Sequence, residues 1–237
     1  MEAYNVPAEA SVEYINGILA EMRQIKAAPG VETEQTRKKG ALGEKAAAAA
    51  LRRYIAKNGG RLFHSVTFGY AKNSAGVEYP GNLNYKDEKL FETGSGGINN
   101  DEVDLMLVTP RRIFLVECKA YRQSVGELRT TDYWTFRGTA PMSKCVLCQT
   151  EKHAWHFYHR FYELLPEGNP KYIIPVLAWV DSARFVDERS VADFPVTSLN
   201  GLGRTISLLD KPLEYLIDVP GFISALSAGL AAPLSEL

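Results

Sequence analysis

The chain has 237 residues, a mass of 26.3 kDa, 46% hydrophobic and 23% charged residues, and a formal net charge of −1. That suits one domain of ordinary size with its own core, and it excludes a disordered chain, a collagen, a coiled coil or a disulfide scaffold as an overall description. The charge is uneven: residues 37–171 carry a net +7 and the two flanks together −8, which permits a polyanionic partner without requiring one.

No uncharged apolar run reaches the roughly 18–20 residues of a membrane span; the nearest, Val219 to Leu234, is broken by Gly221, Gly229 and Pro233. The first residues show no basic flank followed by an apolar stretch, so no signal peptide is expected. Three cysteines are an odd number and argue against a secreted disulfide framework. The expected compartment is the cytoplasm.

Residues 8–26 predict an amphipathic helix with Ala8, Val12, Ile15, Leu19 and Met22 on one stripe. Pro29-Gly30 marks a linker, so residues 1–35 are expected to form an N-terminal appendage to a domain of residues 36–237. A second helix is predicted from Thr36 to Lys57, ended by Asn58-Gly59-Gly60. Residues 61–70 are rich in β-formers and predict a strand. Residues 71–100 are polar and Gly-rich, and are expected to form a mobile loop that helps cover substrate. Two strands, 102–108 and 113–119, flank the turn Thr109-Pro110-Arg111-Arg112. A helix at 149–165, strands at 172–180 and 194–199, and one or two helices within 212–230 complete the chain. This order predicts an α/β fold on a mixed sheet flanked by helices.

The hairpin concentrates the chemistry. If its turn centres between Pro110 and Arg111, Asp104 faces Glu117 and Glu102 faces Lys119. Alternation places these four with Met106, Val108, Ile113 and Leu115. Val103, Leu105, Leu107, Phe114, Val116 and Cys118 take the other face. Two opposed carboxylates destabilise a strand pair unless a cation sits between them. Carboxylate oxygens suit Mg²⁺, and Lys119 points to the same place as Glu117, where it can hold a phosphate or orient a water. The plain alternative is a solvated hairpin end in which Lys119 neutralises the acids.

Asp104, followed after twelve residues by Glu117-Cys118-Lys119 at the end of an apolar strand, resembles the PD-(D/E)xK nuclease superfamily with its restriction-endonuclease-like fold. More narrowly, the chain resembles the nuclease-related domain, NERD, over about residues 40–209. Gly43-Glu44 in the early helix, Glu102-Val103-Asp104, Ala120-Tyr121, Gly126, and Gln149 with His153 belong to the same ordered set. The resemblance implies a metal-dependent nuclease acting on DNA, with Mg²⁺ as cofactor and Mn²⁺ able to substitute. It makes Asp104 and Glu117 metal ligands, Lys119 the helper of the attacking water, Glu44 the completion of the metal site and Gln149 a neighbour. Glu44 also extends the apolar stripe Ala48, Leu51 and Ile55, as a residue packed on the sheet would.

Arg111, Arg112, Arg122 and His153 are the expected nucleic-acid contacts, and a homo-oligomer through the N-terminal helix is expected as a further partner. Cys145, Cys148 and His153 resemble three ligands of a zinc knuckle, but the fourth position is Tyr158 and the substitutes His156 and His159 share the predicted helix of His153, so the two cysteines are read as buried thiols entering an aromatic helix. His153, His156 and His159 fall three apart and are expected to pack on aromatics or touch phosphate. Trp155, Tyr158 and Tyr162 are expected in the core. The rival function is a nucleic-acid-binding or assembly protein that keeps the nuclease fold without turnover.

Overall fold

The computed structural model describes residues 6–25, 33–71, 98–120, 127–130, 134–136, 146–180, 184–187, 194–230 and 232–237. Residues 72–97 of the expected loop, Arg122, Cys145 and the Cys148 side chain lie outside them.

Helix α1 (Val12–Gln24) begins where the Ser11 side chain accepts from the Tyr14 N–H at 3.1 Å. Helix α2 (Glu34–Asn58) begins at a reciprocal Thr33–Thr36 capping box and ends at Gly59, whose φ of +76° suits glycine. Ile15, Ile18, Leu19 and Met22 of α1 are buried in one cluster with Ala46 to Ala49 of α2. Of the expected stripe, Ile15, Leu19 and Met22 thus face inward, whereas Ala8 and Val12 stay exposed.

The remaining elements follow in order. They are β1 (Arg61–Ala71), β2 (Ile98–Val108), β3 (Ile113–Lys119), β4 (Glu127–Thr130), β5 (Trp134–Phe136), α3 (Val146–Phe161) and β6 (Ile173–Trp179). Then come β7 (Arg184–Asp187), β8 (Val196–Ser198), α4 (Leu199–Leu209), α5 (Val219–Gly229) and β9 (Ser235–Glu236). The main sheet has the order β8-β6-β3-β2-β1-β9; a small second sheet is β5-β4-β7. In the main sheet β9, β1, β2 and β3 run antiparallel, and β3, β6 and β8 parallel. Helices α1, α2 and α4 cover one face, and α3 and α5 the other. Coverage on both faces explains the nearly unbroken apolar runs of β3 and β6. This is the restriction-endonuclease-like α/β arrangement expected from sequence.

Helix α4 escaped the sequence reading, because Gly201 and Gly203 lower helix propensity. Ser198 caps it through the Gly201 N–H at 3.3 Å, and Leu199, Leu202 and Ile206 bury one stripe. On α3 the core face is Ala154, Phe157 and Phe161. Of the three aromatics expected in the core, Trp155 and Tyr158 are half-buried and Tyr162 is 45% exposed. They lie off the stripe that α3 turns to the sheet.

The strict alternation expected of β2 fails at one point. Leu62, Leu105 and Leu107 join the α1–α2–α4 side, whereas Val66, Phe68 and Val103 join the α3–α5 side. Both strands thus swap faces between these positions. Ser65 drops out of the β1–β2 ladder between His64↔Leu105 and Val66↔Val103, and its φ is +48°, in the left-handed region. No residue is inserted in either strand, so the register survives while the faces exchange.

Candidate active site at the fork of the hairpin

The β2–β3 ladder has the predicted register and runs from Val108↔Ile113 to Leu105↔Val116, where it stops. Beyond that point β3 stays with β6 as far as Lys119↔Trp179, and β2 stays with β1 as far as Ile98. The fork opens at Asp104, the residue expected to oppose Glu117. An Asp104 carboxylate oxygen, Oδ2, accepts from the Cys118 N–H at 2.7 Å. A side chain thus satisfies the amide where a backbone carbonyl of β2 would otherwise do so.

Three acids meet there. Burial pushes the Asp104 carboxyl well above its ordinary value; Glu117 and Glu44 push it further, and Lys119 with the Cys118 N–H offset only part. Burial also pushes Glu117 upward, but Lys119 and His153 outweigh it and hold Glu117 below the usual range. The surroundings thus favour the charge on Glu117 and oppose the charge on Asp104. Burial, then Asp104, Glu44 and Glu117, push the Cys118 thiol well up, so it stays neutral.

Glu117 is 4% exposed and divides its two oxygens. Oε1 takes Lys119 Nζ at 2.5 Å. Oε2 is buried without a hydrogen-bond partner and lies 3.6 Å from His153 Nδ1, which is equally unbonded. Glu44 reaches the group because α2 touches the end of β3: a Cβ on Gly43 would come within 2.7 Å of the Ala120 Cβ. Glu44 is half-buried. Gln149 is half-buried one turn before His153 and therefore shares its side of α3.

The fourth acid expected at this end, Glu102, is exposed and acts instead on His64. The face exchange at Ser65 brings Asp101 to α3 in its place. Asp101 is 5% exposed. Its Oδ1 lies 3.0 Å from Lys152 Nζ and 3.7 Å from His153 Nε2, and its Oδ2 pairs with His156 Nδ1. Burial pushes Asp101 up, but His156, Lys152 and His153 hold it below the ordinary range. Asp101, Lys152 and His156 are the site neighbours the sequence reading missed. The signal was present in the spacing of His153 and His156, which lets two imidazoles flank one acid. His159 follows the expected aromatic packing, 4.0 Å from the Trp155 ring.

Arg111 and Arg112 lie at the hairpin tip, the opposite end of β3 from Lys119. Arg111 holds Asp210 through Nη2 at 2.6 Å and Nε at 3.0 Å, and Arg112 is 9% exposed. Both are built into the tip rather than presented near Asp104. His153 is directed at Glu117 and Asp101.

Among the described residues no three His, Cys, Asp or Glu side chains are already gathered to hold a metal, and no helix is long and apolar enough to cross a membrane. Two acids, one with a buried unbonded oxygen, still suit a hard cation that keeps several waters.

Comparison with curated proteins and with solved structures gives no match. The family model of the nuclease-related domain matches residues 39–180, which span Glu44, the whole forked hairpin, Gln149 and β6. The chain belongs to the nuclease-related domain family.

Proposed function

We propose that the chain is a divalent-metal-dependent nuclease that hydrolyses phosphodiester bonds, with DNA as its substrate. The observation that carries this reading is the fork itself: Asp104 and Glu117 converge at partly water-excluded depth, with Lys119 fixed on one oxygen of Glu117 and the other oxygen unbonded. Repelling carboxylates are a poor way to build a sheet end and a good way to hold a cation.

Asp104 and Glu117, supported by Glu44, would hold the ion. Bound there, a divalent cation supplies Lewis-acid polarisation of a phosphoryl oxygen and a water of lowered pKa. The Cys118 N–H fixes Asp104, so its other oxygen has a defined direction. Lys119 Nζ brings a positive charge to the point where negative charge grows in the transition state, and it can orient the attacking water. Its pairing with Glu117 Oε1 keeps the ammonium in place before substrate arrives.

The test is cleavage of supercoiled and linear DNA with Mg²⁺ and with EDTA, using wild type and Glu117→Ala purified in parallel. Wild type is expected to cut only with the cation, and Glu117→Ala to lose about a hundredfold or more. Equal cleavage by both proteins overturns the assignment. Cation-dependent cleavage of RNA alone would keep the mechanism and change the substrate.

A further inference from the structure

Two buried polar atoms beside the fork lack hydrogen-bond partners, and they face each other. Glu117 Oε2 and His153 Nδ1 are 3.6 Å apart, on side chains that are 4% and 8% exposed. Leaving two such groups unsatisfied is costly, so their persistence asks for something between them. The far side of the imidazole is occupied: His153 Nε2 faces Asp101 Oδ1 at 3.7 Å, and Asp101 is itself held by Lys152 and His156. With Asp101 at Nε2, Nδ1 is the ring nitrogen left facing Glu117 Oε2. An imidazole nitrogen and a carboxylate oxygen thus stand on either side of one gap. A separation of 3.6 Å is one that a single cation can bridge with two bonds of about 2.1 Å.

We infer that His153 is a ligand of the cation site through Nδ1, with Asp101 fixing the imidazole from behind, and that the site therefore favours first-row transition-metal dications over Mg²⁺. The inference rests on the metal-dependent reading of Glu117 and deepens it. An imidazole nitrogen adds little for Mg²⁺, which takes oxygen ligands, and more for Co²⁺ or Ni²⁺. The acids alone would give an oxygen-only site without that preference.

The experiment uses the full chain stripped with EDTA. Calorimetric titration with Mg²⁺, Mn²⁺ and Co²⁺ is paired with pulsed electron paramagnetic resonance of the Mn²⁺-loaded protein, which detects a directly bonded nitrogen. Wild type is expected to bind Co²⁺ at least about tenfold more tightly than Mg²⁺, with Mn²⁺ between, and to show the nitrogen coupling. His153→Gln keeps an N–H that can donate to Glu117 but loses the imidazole. It should lose the coupling and most of the Co²⁺ preference, with Mg²⁺ binding weakened much less than Co²⁺ binding. Asp101→Asn should weaken Co²⁺ binding by roughly tenfold to a hundredfold.

Absence of nitrogen coupling in loaded wild type overturns the inference without depending on any variant's folding. Equal weakening of all ions in His153→Gln also overturns it, since His153 would then be only a hydrogen-bond partner of Glu117. Glu117→Gln separates the two levels. If that variant loses every ion while wild type shows no nitrogen coupling, only the His153 role fails. If wild type binds no ion, or Glu117→Gln binds all of them unchanged, the metal-dependent reading falls as well.

Discussion

At the scale of single residues, the fork sets a cost that a bound cation would relieve. Asp104 is pushed toward its protonated form by burial and by Glu117 and Glu44, so its charge opposes folding when no cation is bound. Asp104→Asn keeps an oxygen to accept from the Cys118 N–H and removes that charge. Its metal-free stability should rise by about 1 kcal/mol, whereas cleavage should be lost, because an amide is a weaker ligand for a hard cation. Thermal unfolding in EDTA and in Mg²⁺ checks both halves: Mg²⁺ should stabilise wild type and hardly affect the variant. A variant less stable than wild type in EDTA, with a wild type indifferent to Mg²⁺, would mean the acids are not a repelling metal pair. Lys119→Met tests the other partner. It removes the ammonium from Glu117 Oε1, so turnover should fall while cation binding persists. Loss of cation binding instead would make Lys119 a structural support of Glu117.

At the scale of elements, two backbone positions aim the side chains. Gly43 lets α2 meet the end of β3, since an added Cβ would lie 2.7 Å from the Ala120 Cβ. Gly43→Ala should therefore lift α2 from β3, cost roughly 1–3 kcal/mol and weaken activity by withdrawing Glu44. Chemical denaturation together with a cleavage assay measures both; unchanged values would mean that the helix–strand contact yields easily. Ser65 occupies the left-handed region with φ +48°. Ser65→Gly should be neutral or mildly stabilising, while Ser65→Val should cost about 1–2 kcal/mol and disturb the approach of Asp101 to His156. Comparison of the two variants by unfolding and by the His156 imidazole signals in NMR distinguishes a backbone effect from loss of the hydroxyl. Equal effects of the two substitutions would point to the hydroxyl.

At the scale of the whole molecule, Asp210 ties the helical layer to the hairpin tip. It follows α4 and accepts from Tyr54 Oη of α2 at 2.6 Å, Thr109 Oγ1 at 2.7 Å and the Arg111 guanidinium. Burial pushes Asp210 up, but Arg111, Tyr54 and Thr109 outweigh it and hold it below the ordinary value of 3.8. Burial and Asp210 together raise the Tyr54 hydroxyl to about 12. A depressed carboxyl contributes stability that is complete above the unfolded-state value and is lost as pH falls through the lower folded-state value. The stability difference between wild type and Asp210→Asn should therefore be largest near neutral pH and shrink once the pH drops below 3.8. Urea unfolding at a series of pH values reads it. A difference that stays constant down to about pH 2.5 would place the contribution in shape rather than charge.

The sequence by itself determined the local features and the family. Pro110 and its neighbours set the turn, alternation set the register from Val108↔Ile113 to Leu105↔Val116, and Gly59 ended α2. Asp104, Glu117 and Lys119 were legible because strand spacing brings them to one end of the hairpin. These rules act over a few residues, and the chain carries them in its letters. Tertiary structure alone decided that Asp101 rather than Glu102 turns to α3, because a single left-handed residue on the neighbouring strand exchanges the faces. It alone decided that Arg111 is held by Asp210, nearly a hundred positions away, and that His153 stands between two acids. Those outcomes depend on which distant surfaces pack together, and no local period or cap encodes that choice.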